Sequence, residues 1–274
     1  MPASLPTRTV ARAALWLGVV GLLVLALDLG GDDPGHDVPD GRTRVLVVGD
    51  SVTQGWPGSC TWRYYFWERL SLRGVVDDID LVGPRTGVYD DLDWDVSGAY
   101  ADENFDQDHA AMSGAELGTD GGPPGESIDV LVARYRPDVV LALWGINDLI
   151  KGPATGEAVL ARYAGWIDRA RRGQPDIDLV IGKLPQTWVP GVEELNAGLD
   201  DLAREESTTR SPVIVAEHPE PFDSETDFSD GVHPTVSGDA KLGEMFESAW
   251  WTLAGETPQP LTTAPGGNGP CPMG

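Results

Sequence analysis

Arg44-Val45-Leu46-Val47-Val48-Gly49-Asp50-Ser51-Val52-Thr53-Gln54-Gly55 is the stretch on which the reading of this chain turns. Four β-branched or leucine residues follow a charged entry and stop at a glycine, the pattern of a strand buried on both faces of a parallel sheet. Ligands gather at the carboxyl ends of such strands. A serine two residues beyond Gly49 is therefore offered to a crevice, with Gly49 and Gly55 permitting a tight turn around it. The same serine would serve as an N-cap for the helix that follows, and this segment alone leaves both roles open.

Outward from that stretch the pattern repeats. Thr61 to Leu72 reads as a helix with Thr61 as its N-cap, dense in aromatics from Trp62 to Trp67 that suit core packing and, on one side, a crevice wall. Ile79 to Gly83 is a short strand, and Pro84 to Asp108 reads as a long acidic loop without periodicity, of the kind that carries function. A helix from about Glu126 to Arg136 leads to a buried strand, Asp138 to Trp144, which ends in Gly145-Ile146-Asn147-Asp148. Helix Gly156–Arg172, strand Asp178–Leu184, helix Val192–Glu206 and strand Val213–Ala216 follow. Asp230-Gly231-Val232-His233-Pro234 then opens a helix over Val236–Leu253. Strands alternating with amphipathic helices predict an α/β fold, a five-stranded parallel sheet covered on both faces through right-handed crossovers.

On that topology, Ser51, Asn147, Asp230 and His233 all meet at one edge of the sheet. A serine hydroxyl attacks well only when a base takes its proton, and a histidine near its ordinary pKa of about 6.5 suits the task. The histidine needs an acceptor on its other nitrogen, which Asp230, three residues earlier, can fold back to supply. A tetrahedral intermediate needs preorganised donors for its oxyanion. The backbone N–H groups of Ser51 and Gly114 and the side-chain amide of Asn147 are the candidates, Gly114 because it carries no side chain to obstruct a carbonyl. Singly, each residue has a plain alternative: a surface histidine, a capping aspartate, an ordinary turn. Their joint arrival at strand ends is what argues for chemistry.

Gly49-Asp50-Ser51-Val52, Gly114, Gly145-Ile146-Asn147-Asp148 and Asp230-Gly231-Val232-His233 resemble the four blocks of the SGNH (GDSL-type) hydrolase superfamily, in the right order, over roughly Arg42 to Leu253. The resemblance implies a flavodoxin-like three-layer sandwich. It also implies a nucleophilic Ser51 that doubles as an oxyanion donor beside Gly114 and Asn147, and an Asp230–His233 pair completing the triad. Thr61-Trp62-Arg63-Tyr64, Asp80-Leu81-Val82-Gly83 and the segment Asp108 to Gly114 resemble secreted carbohydrate acetyl esterases more loosely. Ala111-Met112-Ser113-Gly114 departs from the Gly-His-Ser-Gly type of block common there. His36, His109 and His218 read as structural or solvated, His109 being near enough to Gly114 to touch substrate.

The 274 residues carry a formal net charge of -25, which repels phosphate backbones and excludes a nucleic-acid partner. Arg8 and Arg12 precede an apolar run from Ala13 to Leu27, the signature of an export signal, with cleavage after Ala26; an uncleaved membrane anchor is the alternative. Residues 1–31 are thus set apart as export segment, 32–41 as linker, 42–254 as the hydrolase domain and 255–274 as a mobile Pro/Gly-rich tail. The two cysteines, Cys60 and Cys271, are compatible with one disulfide outside the cytoplasm without requiring it. No metal spacing and no cofactor motif is present. The expected activity is that of a secreted serine esterase acting on short acyl esters, such as acetyl esters of a carbohydrate. A lipase, an acyltransferase of the same fold and a non-enzymatic carbohydrate-binding surface protein are the competing readings. The sequence leaves the oligomeric state undetermined.

Overall fold

The computed structural model describes residues 41–90, 93–117, 126–152, 154–257, 261 and 271. The export segment and linker, residues 1–40, lie outside them, as do His36 and most of the tail. Five parallel strands, β1 (Thr43–Gly49), β2 (Ile79–Val82), β5 (Val139–Leu143), β6 (Asp178–Gly182) and β7 (Val213–Ala216), form one sheet in the order β2-β1-β5-β6-β7. Counting these five alone in chain order, this is the 2-1-3-4-5 winding of flavodoxin-like sheets. In register, Val45 lies beside both Leu81 and Val139. β1 from Val45 onward and the whole of β5 are enclosed, which is why both read as unbroken apolar runs.

The winding reverses direction at β1. Right-handed crossovers then put helix α2 (Thr61–Leu72) on one face and α3 (Ile128–Tyr135), α5 (Gly156–Gly173) and α6 (Val192–Glu206) on the other. The last helix, α7 (Val236–Leu253), packs on α2, where Trp62 and Phe246 stack with ring centres 4.2 Å apart. A reversal of this kind leaves a crevice beyond the carboxyl ends of the two strands that flank it, β1 and β5.

Two expectations fail here. The segment after β2 is not an aperiodic loop: β3 (Val88–Asp90) and β4 (Asp93–Gly98) pair antiparallel as a small hairpin. Nor is Thr61 the cap of α2. Cys60 holds that position without a side-chain bond, and Thr61 is the first helical residue, at φ 61°. A carboxylate from far along the chain faces this end instead: the enclosed Asp239 of α7, whose pKa burial raises, lies near enough to the backbone N–H groups of Thr61 and Trp62 for them to draw it partway back down. Cys60 is bridged to Cys271 across 211 residues, so the end of the chain is bound to the loop that precedes α2. Both sulfurs sit in a second apolar cluster with Tyr64, Tyr65, Val88, Tyr100 and Phe105. Among the described residues no helix is long and apolar enough to cross a membrane.

Candidate active site

β1 delivers Ser51 by a turn that only glycine permits. A Cβ on Gly49 would lie 2.3 Å from the Thr53 hydroxyl and 2.6 Å from the Leu143 carbonyl. The short helix α1 (Ser51–Gln54) begins at once, and its N-cap is Asp50, whose Oδ1 accepts the Val52 N–H at 3.0 Å. That settles the alternative left open by the sequence: capping falls to Asp50, and the Ser51 hydroxyl is turned elsewhere. It meets His233 Nε2 at 2.9 Å.

His233 arrives from the opposite end of the fold. Its Nδ1 pairs with Asp230 Oδ2 at 2.7 Å, and Asp230 Oδ1 accepts the backbone N–H groups of Val232 and His233 at 2.9 and 2.8 Å. Burial alone would raise the Asp230 pKa, but these bonds outweigh it and hold the carboxyl below its usual range. With Asp230 a carboxylate, Nδ1 carries a proton and Nε2 of the neutral ring is the acceptor for the serine hydroxyl. Asp230 does not cap α7, as a structural role would require; Thr235 does so through the Gly238 N–H. Two side chains from the loop after β6 brace this turn. Gln186 donates to the Val232 carbonyl and Trp188 Nε1 to the Gly231 carbonyl, both at 2.8 Å.

Gly114 reaches the same crevice because the backbone before it runs along β1, with Ala110 N–H on the Val47 carbonyl and Met112 N–H on the Gly49 carbonyl. Gly114 has φ 75°, which favours glycine. Its orientation is fixed from both sides: Ser113 N–H donates to Gln54 Oε1, and the Lys151 ammonium donates to the Gly114 carbonyl, each at 2.6 Å. Asn147, in helix α4 (Ile146–Lys151) directly after β5, is buried. Its Nδ2 makes no well-formed hydrogen bond among the described residues, although the amide is close enough to Asp50 to draw that carboxyl's pKa down. Burial dominates all the same and pushes Asp50 up to about 7. Asp148, beside Asn147, accepts the Leu117 N–H at 2.8 Å and pairs with Arg162, so it anchors the loop after Gly114 to α4.

Hydrogen bonds thus join Ser51, His233 and Asp230, while the segment leading to Gly114 runs along β1 and the Asn147 amide lies near Asp50. Chemically, the arrangement offers a hydroxyl in contact with a base and the base oriented by a carboxylate. His109 stands apart from the site. It is enclosed, its Nδ1 accepts the Ala111 N–H, and Nε2–H donates to the Gly87 carbonyl at 2.8 Å. Burial, with Arg63 and Arg85 nearby, keeps it neutral by lowering its pKa well below the usual value. His218 is likewise occupied, with Nε2 on the Lys183 carbonyl. Sequence reasoning missed Gln54, Lys151, Gln186 and Trp188, which act on the backbone of residues remote in the chain and leave no local signature. Arg63, quoted above only as part of a resembling segment, has a role that the sequence did not reveal for the same reason. It is wholly buried and holds the Thr53 and Gln54 carbonyls that end α1.

Among curated proteins, the chain is similar to a multidomain esterase of Ruminococcus flavefaciens, at 26% identity over 84% of this chain and 32% of that protein. It therefore spans about a third of the length of that relative. Among solved structures, a carbohydrate esterase family 3 protein from Talaromyces cellulolyticus superimposes with a TM-score of 0.65 at 24% identity, covering 78% of this chain and 98% of that one. A family 3 carbohydrate esterase from Clostridium thermocellum gives 0.63 at 22% identity, covering 78% and 97%. These structures share the fold. The pattern of the GDSL-like lipase/acylhydrolase family matches residues 47–241, from the end of β1 into α7, and the chain belongs to that family of ester hydrolases.

Proposed function

We propose that this protein is an exported serine esterase that removes short acyl groups, acetyl foremost, from carbohydrate esters. The observation that carries the reading is the unbroken relay from Ser51 Oγ through His233 to Asp230, at 2.9 and 2.7 Å. In this reading Ser51 Oγ attacks the ester carbonyl while its proton passes to His233 Nε2. Asp230 holds the ring in place and stabilises the imidazolium. The oxyanion is received by the N–H groups of Ser51 and Gly114 and by Asn147 Nδ2. The proton on Nε2 then goes to the departing alkoxide, leaving an acyl-serine. Water then attacks the acyl carbonyl as its proton passes to His233, which returns that proton to Ser51 Oγ as the carboxylic acid departs.

Several features support the finer points. Residues 1–31 have the make-up of an export signal, and the Cys60–Cys271 bridge suits an oxidising compartment. The relatives named above are esterases, two of them called carbohydrate esterases. The test combines labelling with a substrate series. A fluorophosphonate should label the wild type at Ser51 alone and fail to label Ser51→Ala. Among p-nitrophenyl esters, acetate or propionate should be the best substrates, with kcat/KM falling by octanoate. Each buried methylene is worth about 0.8 kcal/mol to an enzyme with an apolar acyl groove, so a steady rise with chain length would favour a lipase. Labelling of the alanine variant at the wild-type rate would remove Ser51 as nucleophile.

A further inference from the structure

Asp230 and His233 are carried by a loop at the surface. Between Asp223 and Ser237 only Asp227, Phe228 and nothing of the turn's tip are buried, and Asp230 exposes 55% of its side chain. The loop is held by closure at its base instead. Phe228 and Pro234 face each other as an antiparallel bridge, and Ser229 gives both its N–H and its hydroxyl to the His233 carbonyl, at 2.9 and 3.2 Å. One step further down, Thr235 donates its N–H to the Asp227 carbonyl and its hydroxyl to the Thr226 carbonyl, both at 2.8 Å. Residues 228–234 therefore form a closed turn that stands on Asp227.

Asp227 is a charged side chain with 1% of its surface exposed. Its Oδ2 accepts the Asp223 N–H and pairs with the Lys241 ammonium of α7, each at 2.8 Å, while Oδ1 accepts the Ser237 hydroxyl at 2.6 Å. Burial would raise its pKa, but these partners outweigh burial and hold the carboxyl below its usual range. Lys241 is fixed in turn by Glu220 at 3.1 Å and the Pro221 carbonyl at 3.2 Å, with its ammonium over the Phe222 ring. An ion pair taken out of water adds little net stability, because desolvation offsets most of the attraction. What it does supply here is a fixed place for the base of the turn.

We propose that Asp227 is a positioning residue for the hydrolysis: locked to α7 by Lys241 and Ser237, it fixes where the Asp230–His233 loop stands over Ser51. This rests on the esterase reading above and adds to it a residue outside the triad. Asp227 touches neither the substrate nor the reacting atoms. Its effect passes through the backbone, along three residues to Asp230 and across the Thr235 bond to the residues that follow His233. A misplacement on the order of 1 Å between His233 Nε2 and Ser51 Oγ would cost about 100-fold in rate. A field effect of the two charges is the rival account, and it carries different signs. His233 gains positive charge in the transition state. By field alone, removing the Asp227 charge would slow the reaction and removing the Lys241 charge would speed it. By positioning, both removals slow it.

The experiment uses the full chain as wild type, Asp227→Asn, Lys241→Met and Lys241→Arg. One readout is kcat and KM on p-nitrophenyl acetate, counted per site labelled at completion by a fluorophosphonate, so that misfolded protein drops out. The other is solvent exchange of the His233 Nδ1 proton, which lies in the 2.7 Å bond to Asp230, followed by NMR. Asp227→Asn and Lys241→Met should each lower kcat about tenfold with KM within about twofold. Both should also speed the Nδ1 exchange about tenfold, because a looser turn opens that bond more often. Lys241→Arg keeps the ion pair and should stay within about threefold of the wild type in both readouts. A wild-type or raised kcat in Lys241→Met, or unchanged Nδ1 exchange in both charge-removing variants, overturns the proposal. Should Asp227→Asn fail to fold, Lys241→Met decides alone. Failure of the esterase reading looks different. The wild type would then be neither labelled nor active, while the exchange of the Nδ1 proton would still decide whether Asp227 holds the turn.

Discussion

Asp50 stands one residue before Ser51, wholly buried, with a carboxyl pushed up to about 7 by its burial. Asp148 adds to the rise, while the Val52 N–H, the Asn147 amide and Lys151 oppose it. Because the folded value lies above the unfolded one of about 3.8, the fold binds this proton more tightly than the open chain does. The contribution of this group to stability is then fully present below about 3.8 and is lost as pH rises from there through about 7. Asp50→Asn keeps the acceptor for Val52 and removes the titration. Between pH 5 and pH 8 the wild type should lose about 3 kcal/mol more than the variant, as measured by urea unfolding at each pH. Parallel curves would show that Asp50 does not titrate in this range. Asn147 calls for a kinetic test. Its amide is asked to meet charge that exists mainly in the transition state, so Asn147→Ala should lower kcat about 100-fold while KM moves little. An unchanged kcat would take it out of the oxyanion hole.

At the scale of elements, the Gly114 loop is held between Gln54 of α1 and Lys151 of α4. Lys151→Met removes the donor to the Gly114 carbonyl while keeping an aliphatic stem. It should reduce kcat about tenfold, equivalent to ~1.4 kcal/mol of barrier, with little change in KM. A wild-type kcat would mean that the loop holds its shape without the ammonium. The strands and the long helices were legible because each buries a continuous run or one regular stripe; Val192–Glu206 and Val236–Leu253 end where their patterns end. The hairpin was not, although Asp93-Trp94-Asp95-Val96-Ser97 alternates as a strand does. Its aspartates, read as loop composition, hid that period. Thr61 misled for another reason. A threonine before an apolar helix is a good local cap signal, but the cap position is Cys60 and the carboxylate that faces this end is Asp239, 178 positions after Thr61. Ser51 and Asn147 were readable because they stand just beyond the ends of β1 and β5, Asp230 and His233 because their side chains can pair three positions apart, and Gly114 as a glycine within a block of the family pattern. Their supports were not, since Gln54, Lys151, Gln186 and Trp188 bond to backbone groups that only the folded chain brings near.

Across the whole molecule, the Cys60–Cys271 bridge closes a loop of almost the entire domain. Chain-entropy reasoning gives such a loop about 5 kcal/mol of stabilisation. Because Cys271 is itself buried against Tyr64, Tyr65 and Phe105, the closure is anchored in an apolar cluster instead of ending in solvent. The paired Cys60→Ser and Cys271→Ser variant should therefore be destabilised by about 3 to 5 kcal/mol in guanidinium unfolding. A loss below about 1 kcal/mol would show that the closure is spent on a segment the core does not feel.

The direction of β1 governs access to Ser51. The strand enters the sheet at Thr43 on one edge and leaves at Gly49, beside Ser51, on the other. Seven residues at roughly 3.3 Å each set these ends about 20 Å apart. Whatever the polypeptide upstream of Thr43 is fastened to, the leash joins at the back of the sheet while the crevice opens forward. A bead or a fused module fixed through that end would leave the front clear for an ester to approach Ser51.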